Sequence, residues 1–546
     1  GESIEPFLWA GGKRLTWADV TITQSLMDGD LPIPTVTWTA GDVKLTITAA
    51  VSSSSMLQLS YRVTGDAELE LQVRPFQVNP STQFLNTEGG VAREFRGELR
   101  SVPRRTRERD VRIDIPLREG AKSETLAAIR RQWREKLDRV TIEIAGAPHI
   151  ADTIRANTAY TLIARDGPSL EPGTRSYDRA WIRDGALISS VLLRLGHADV
   201  AKEFAIWFAT FQYDDGKVPC CVDRRGADPV PENDSHGQLI FLIAEIHRYT
   251  NDVEFVQRLW PHADRAARYI EKLRSENHGE FEGLVTESIS HEGYSAKPVH
   301  AYWDQVFALK GMEDAAYLAG VIGHHERRQE LELQIEDFRR DFTASIWRTI
   351  DENGLDYIPA SVELADFDPT SISIGISPLG LASLLPQREL RRTYERYLTN
   401  LAKPRADYTP YEMRNIGALI RLGDTNRALQ LIDRFLLDRR PLAWNHWAEV
   451  VGTKYREPRF IGDMPHVWVA SDFTRAILDA IAYEDEDGVL VVGAGVPDWW
   501  LPVRVGPLQT RQGAVEIRID RDGVRVTPEV RFRSPRRTGA RAPDQR

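Results

Sequence analysis

The feature that most constrains this chain is a change in the spacing of its apolar residues. Up to about Leu117 they alternate. From about Ile150 they recur every 3.6 residues and continue so for more than three hundred residues. Period two places alternate side chains on opposite faces of a strand, whereas 3.6 places a stripe along one side of a helix. The first region therefore reads as paired strands: Thr35 to Ala49 sets Val36, Trp38, Val43, Leu45 and Ile47 between polar residues, and Met56 to Val73 repeats this around Gly65-Asp66. A sheet with one apolar face must bury it, and a β-sandwich is the expectation for residues 1–120. A charged helix over Ser123 to Asp138 falls in a linker, 121–149.

The second region, 150–485, breaks at regular places. Leu195-Gly196-His197, Thr250-Asn251-Asp252, Ile322-Gly323-His324 and Leu422-Gly423-Asp424 each separate two amphipathic runs. Runs joined by so few residues form αα-hairpins. Close to twelve helical segments fit between Ile150 and Tyr483, enough for six hairpins closed into an (α/α)6 toroid. The fold class expected is thus multidomain α and β. After the toroid, 486–546 return to short strands, with a hairpin turn at Asp522-Gly523 and an Arg- and Pro-rich tail from Ser534 that is expected to be disordered.

At 546 residues the chain exceeds one ordinary core and has room for a deep site. A formal net charge of -10 disfavours nucleic acid as partner. No apolar run reaches the roughly 20 residues of a membrane span. A water-soluble chain is expected, and its abrupt opening in strand sequence suggests that a signal segment has been removed. Localisation stays open between secreted or periplasmic and cytoplasmic. The two cysteines, Cys220 and Cys221, are adjacent and supply neither a disulfide framework nor a zinc site; inert burial is the expectation for them. No cofactor and no metal is expected, and the sequence is silent on oligomeric state.

Chemistry is expected on the connections between hairpins, where polar side chains stand on rigid supports. Four connections carry more carboxylates, Trp and His than a turn requires. The first, Tyr-Asp-Arg-Ala-Trp-Ile-Arg-Asp-Gly over 177–185, offers Arg183 and Asp184 as sugar ligands and Trp181 as a stacking platform, although Asp184 is also placed to cap a helix. The second, 223–237, offers Asp234 and His236 beside Asp228 and Glu232. The third, 284–304, carries Glu287, Glu292 and Asp304 as candidate general acids. Its aromatic residues Tyr294, Tyr302 and Trp303 would desolvate a carboxyl and raise its pKa. Tyr302 and Trp303 are also expected to contact substrate. The fourth, 444–468, presents Trp444, Trp447 and His466 to substrate and Glu449 as a base able to activate water, with Glu457 as a rival.

Trp181-Ile-Arg-Asp184, the Glu245-Ile-His-Arg-Tyr-Thr-Asn-Asp252 helix, and Trp447-Ala-Glu449 followed by Pro465-His466 together resemble the glucoamylase-like six-hairpin glycosidases. The resemblance covers about 150–500 as architecture. It implies that Arg183 and Asp184 hold the sugar cleaved from a chain end and that Glu449 is the catalytic base, with Val450 standing where glucoamylases have Gln. It implies Glu292 as the acid, about eleven residues before the helix that Asp304 opens; in trehalase-like relatives a Trp-Asp at the helix start would select Asp304 instead. The sandwich-then-toroid plan also resembles bacterial glucoamylases and inverting phosphorylases. The expected function is an inverting, exo-acting glycoside hydrolase on an oligo- or polysaccharide. The alternatives are an inverting glycoside phosphorylase, or a polysaccharide lyase using Tyr294 or His300 as base.

Overall fold

The structure, a computed structural model, describes residues 3–74, 105–174, 177–290, 297–452 and 462–535. Glu292, Tyr294, Glu457 and most of the Arg- and Pro-rich tail lie outside the described residues.

Nine strands open the chain: β1 (Ser3–Ala10), β2 (Lys13–Leu15), β3 (Thr21–Met27), β4 (Leu31–Ala40), β5 (Val43–Val51), β6 (Met56–Thr64), β7 (Glu68–Arg74), β8 (Arg105–Thr106) and β9 (Asp110–Pro116). They form two antiparallel sheets, β2-β1-β7-β8 and β3-β4-β5-β6-β9. The alternation seen in the sequence is what the sheets use. Leu8, Trp38, Leu45, Tyr61, Val63, Leu69 and Leu71 face inward and meet in one apolar layer between them.

Helix α1 (Leu126–Leu137) is capped by Thr125, whose side chain accepts from the Ala128 amide. It lays Ile129 and Leu137 toward the second sheet, near Ile33 and Leu31 respectively. Arg134 forks onto the buried Asp30 at 2.7 and 2.8 Å, fixing the helix to the sandwich. The linker then adds β10 (Thr141–Ile144), which the sequence reading missed. β10 pairs with Val503–Thr510 in a four-stranded sheet completed by Gly513–Asp520 and Gly523–Thr527.

Twelve helices follow: α2 (Pro148–Ile163), α3 (Ile182–Arg194), α4 (Ala198–Ala209), α5 (Asp234–Thr250), α6 (Val253–Glu276), α7 (Tyr302–Val321), α8 (His325–Asn353), α9 (Pro369–Ile376), α10 (Gln387–Leu401), α11 (Arg414–Arg421), α12 (Thr425–Leu437) and α13 (Val467–Ile481). The odd-numbered helices from α3 to α13 touch in cyclic order, with α13 returning to α3, and close an inner ring. The even-numbered helices pack around them. The inner helices are buried on nearly every side, charged residues included, as a wall enclosed by an outer layer must be. α5 and α7 cross where Gly237 meets Gly311; a methyl group on either would run into the opposing backbone. Within the described residues no helix is long and apolar enough to cross a membrane.

The connections are unequal at the two ends of the ring. All four breaks read from the sequence are short turns leading from an inner helix out to the next outer one. The return connections are the long ones. They end at the N-termini of the inner helices, so one mouth of the ring collects both the polar loops and the positive ends of the helices. At the other end Asp479 of α13 accepts from Arg194 of α3 at 2.8 Å, Arg421 of α11 at 3.0 Å and Ser377 after α9 at 2.7 Å. A polar cavity of about 360 Å³ lies against this knot of charges.

Candidate active site

The first connection enters α3 through the short strand Ala180–Trp181, which pairs with Cys221–Asp223 of the second. That pairing sets Arg183 facing the start of α5. Its Nη1 donates to Glu232 at 2.8 Å, to Asp234 at 3.2 Å and to the Ser290 carbonyl at 2.7 Å, so one guanidinium joins the first three connections. Burial works against its charge, but Glu232, Asp234 and Asp184 outweigh that and hold it firmly protonated.

Asp234 and Asp304 are completely buried, and neither caps its helix: α5 starts after Asn233 and α7 after Ala301. Asp184 likewise lies inside the first turn of α3 rather than at its cap. Asp234 accepts from Trp303 Nε1 at 2.8 Å and from Gln238 at 2.7 Å. Asp304 accepts from Ser288 at 2.6 Å. Its other oxygen, and that of Asp234, find no hydrogen-bond partner among the described residues. Burial, with Asp234 and Glu232 nearby, pushes Asp304 up to about 8, so its carboxyl is protonated at neutral pH. Burial also raises Glu232, against the pull of Arg183. Glu232 and Asp234 share the Arg183 cation, whereas Asp304, as buried as Asp234, is held by the Ser288 hydroxyl.

Glu449 reaches the same mouth from the connection before α13. Its carboxylate accepts from the Tyr177 hydroxyl at 2.6 Å. The Tyr177 amide donates to Asp463 at 3.1 Å, and its ring meets those of Trp181 and His466 at 5.7 and 5.3 Å. Gly462, at φ +63°, passes so close that a methyl group would overlap the Glu449 carboxylate. Burial pushes His466 down to about 4, leaving it neutral, with both ring nitrogens lacking a hydrogen-bond partner among the described residues. Arg414, buried and paired with Asp472 at 3.1 Å, sits against the rings of Trp303, Tyr411 and Trp468 at 5.4, 4.9 and 4.8 Å. In the inner ring α7 is three places from α13, so the Asp304 and Glu449 supports stand across the mouth from one another.

Four expected substrate contacts are spent on the scaffold instead. Tyr302 is enclosed, with its hydroxyl on Ser345 and Thr349 of α8. His236 accepts from the Val218 amide and abuts Tyr269 of α6, facing the outer helices. Trp447 is buried, donates to the Phe435 carbonyl and packs on Phe473. Trp303, enclosed as well, supports Asp234 through its ring nitrogen rather than offering a face. Trp444 stands by α2, where its carbonyl accepts from Tyr160. Trp181 is half-buried, with the Arg179 guanidinium 5.2 Å from its ring centroid. Residues not assigned from the sequence are Tyr177, Glu232 as the partner of Arg183, Ser288, Arg414 and Asp463. The aromatic Tyr177 four residues before Trp181 was the available signal for the first.

No family model and no curated protein matches the sequence. Solved structures do. A bacterial glucoamylase complexed with acarbose superposes with a TM-score of 0.60 at 11% identity, over 87% of this chain and 88% of that one. A GH78 family rhamnosidase of Bacillus sp. GL1 gives 0.56 at 12% identity, over 93% of this chain, which spans 55% of the rhamnosidase. At such identities the likeness establishes the fold alone, a β-sandwich leading into an (α/α)6 toroid.

Proposed function

We propose that the chain is a glycoside hydrolase that removes sugar from the end of an oligo- or polysaccharide with inversion, using Glu449 as general base and Glu292 as general acid. The reading is carried by Glu449, held by the Tyr177 hydroxyl at the loop-rich mouth of the ring. A carboxylate fixed by a short hydrogen bond keeps one lone pair directed and can draw a proton from water. Ser290, the last described residue before Glu292, lies at this mouth, its carbonyl accepting from Arg183. In the proposed step Glu292 gives its proton to the glycosidic oxygen while Glu449 deprotonates a water attacking the opposite face, which calls for carboxyl groups about 6.5–9.5 Å apart. Arg183 and Asp184 would engage hydroxyls of the terminal sugar, with Trp181 beneath its ring. The acarbose complexed with the bacterial glucoamylase supports a sugar as ligand.

A second assignment of the acid has one feature in its favour: burial and the acidic neighbours Asp234 and Glu232 raise Asp304 toward its protonated form. Against it, its carboxyl is wholly enclosed and cannot touch a glycosidic oxygen as it stands. The test is a glycan panel with the anomer of the product read by NMR, followed by Glu449→Gln, Glu292→Gln and Asp304→Asn on the substrate found. Glu449→Gln should reduce turnover by about 10²–10⁴-fold while substrate still binds; undiminished turnover removes the assignment. Sugar phosphate formed only with added phosphate would make the chain a phosphorylase, and ultraviolet-absorbing unsaturated products would make it a lyase.

A further inference from the structure

Cys220 and Cys221 take no part in the chemistry above, yet they occupy the joint between the first two connections. Cys221 pairs with Trp181 across the short sheet, and its carbonyl accepts from the Asp228 amide at 3.0 Å. The Cys220 carbonyl accepts from the amide of Ile182, the first residue of α3, also at 3.0 Å. Two successive carbonyls therefore tie together the Trp181 platform, the start of α3 and the loop leading to Asp234.

The thiols are arranged as a pair. Neighbouring residues of a regular strand point to opposite faces. Here the strand begins only at Cys221, and the two sulfurs lie 3.0 Å apart, both buried. Arg179 Nη1 stands 3.3 Å from Cys221 Sγ. The hydrogen bond to Cys221, and after it burial, raises the Cys220 thiol, which keeps its proton. Cys221 thus stands beside a cation, with the Cys220 sulfur within reach of its own.

We propose that Cys220 and Cys221 form a reversible oxidation site that a peroxide closes to a disulfide, and that closure disturbs the seat of Trp181 and the start of α3. Cys221 gives up its thiol proton, attacks a peroxide oxygen and becomes a sulfenic acid, and the hydroxide released takes up that proton and leaves as water. Cys220 then attacks the sulfenic sulfur, loses its proton and expels the second oxygen as water. Two thiols and one hydrogen peroxide give one disulfide and two waters. Adjacent Cα atoms are about 3.8 Å apart across a trans peptide, short of the roughly 4.4–6.8 Å that unstrained disulfides span, so the closed form is strained. The linking peptide must turn to close the ring, which takes the Cys220 carbonyl off the Ile182 amide. A disulfide strained in this way is readily reduced, so a dithiol restores the open form.

The consequence for sugar rests on the proposed function; the oxidation itself does not. The full chain is treated with hydrogen peroxide, alkylated in denaturant, and read by intact mass and by hydrogen exchange over Ala180 to Ile188. Since these are the only cysteines, the mass is unambiguous. The expected result is a loss of about 2 mass units with no alkylation, reversed by dithiothreitol, together with faster exchange at Ile182. Cys220→Ser should stop at a sulfenic acid and Cys221→Ser should not react. Once a substrate is known, closure should weaken its binding about tenfold, as expected from the loss of backbone hydrogen bonds. Two free thiols in the folded chain under peroxide that oxidises the denatured chain overturn the proposal. So do disulfide-linked dimers, or closure with unchanged exchange at Ile182. A chain that acts on no sugar leaves the mass and exchange readings intact and refutes only the function.

Discussion

Replacing Asp304 by Asn tests the account of the mouth without needing a substrate. Asp304 has an ordinary value of 3.8 and is pushed to about 8 by burial and its acidic neighbours. Between those pH values the folded chain holds a proton that the unfolded chain has released, so raising the pH favours unfolding. Asp304 therefore costs little stability at pH 4, and its full cost is reached above pH 8. Four units at about 1.4 kcal/mol each set a ceiling of about 6 kcal/mol. Relaxation around a buried charge reduces this, and on the order of 2 kcal/mol is the expected gain on substitution. Asn keeps the shape, can still accept from Ser288, and carries no charge. An unfolding entropy of about 2.1 cal/mol/K per residue over Pro148 to Ile481 turns that gain into about 3 °C in Tm. Scanning calorimetry of both proteins from pH 5 to pH 9 should show the variant's advantage growing with pH. An advantage that is constant, or that shrinks as pH rises, would refute a protonated Asp304.

Tyr177→Phe removes a hydrogen bond to a charged acceptor, worth about 1.5–3 kcal/mol; kcat on the substrate found should fall about 10- to 100-fold and Tm by no more than about 4 °C, and unaltered kcat would show that Tyr177 does not hold the base. Arg183→Met leaves Glu232 and Asp234 buried without their cation, so urea unfolding should show a loss of about 3–5 kcal/mol at pH 8, smaller at pH 5 where the carboxyls take up protons. A loss independent of pH would mean that only packing was removed.

Much of the fold could be read from the sequence because its signals are local. Gly196, Gly323 and Gly423 have positive φ and Asn251 closes α5 in the left-handed conformation, so the residues that break the pattern also turn the chain. β10 was not legible, because what makes it a strand is a partner at 503–506, far along the chain. The carboxylates of the site stood out as more acid than a turn needs. Their neighbours misled for a geometric reason: successive helical residues point about 100° apart. Trp303 thus meets Asp234 while Tyr302, one residue earlier, faces α8. His236 is turned outward from Asp234 in the same way. Tyr177 was invisible as a partner of Glu449 because 272 positions separate them.

The knot at Asp479 bears on how such a protein is made. α3, α9 and α11 emerge from the ribosome long before α13, and until then Arg194 and Arg421 lack the carboxylate that neutralises them. A nascent chain ending before residue 467 is an open arc whose two flanks expose apolar helix faces to water. Ring closure waits for the final hairpin, and the strand at 503–510 then fastens onto β10, joining the late segment to the linker. Chains stalled within this interval should therefore be the aggregation-prone species in synthesis, and the natural clients of a chaperone.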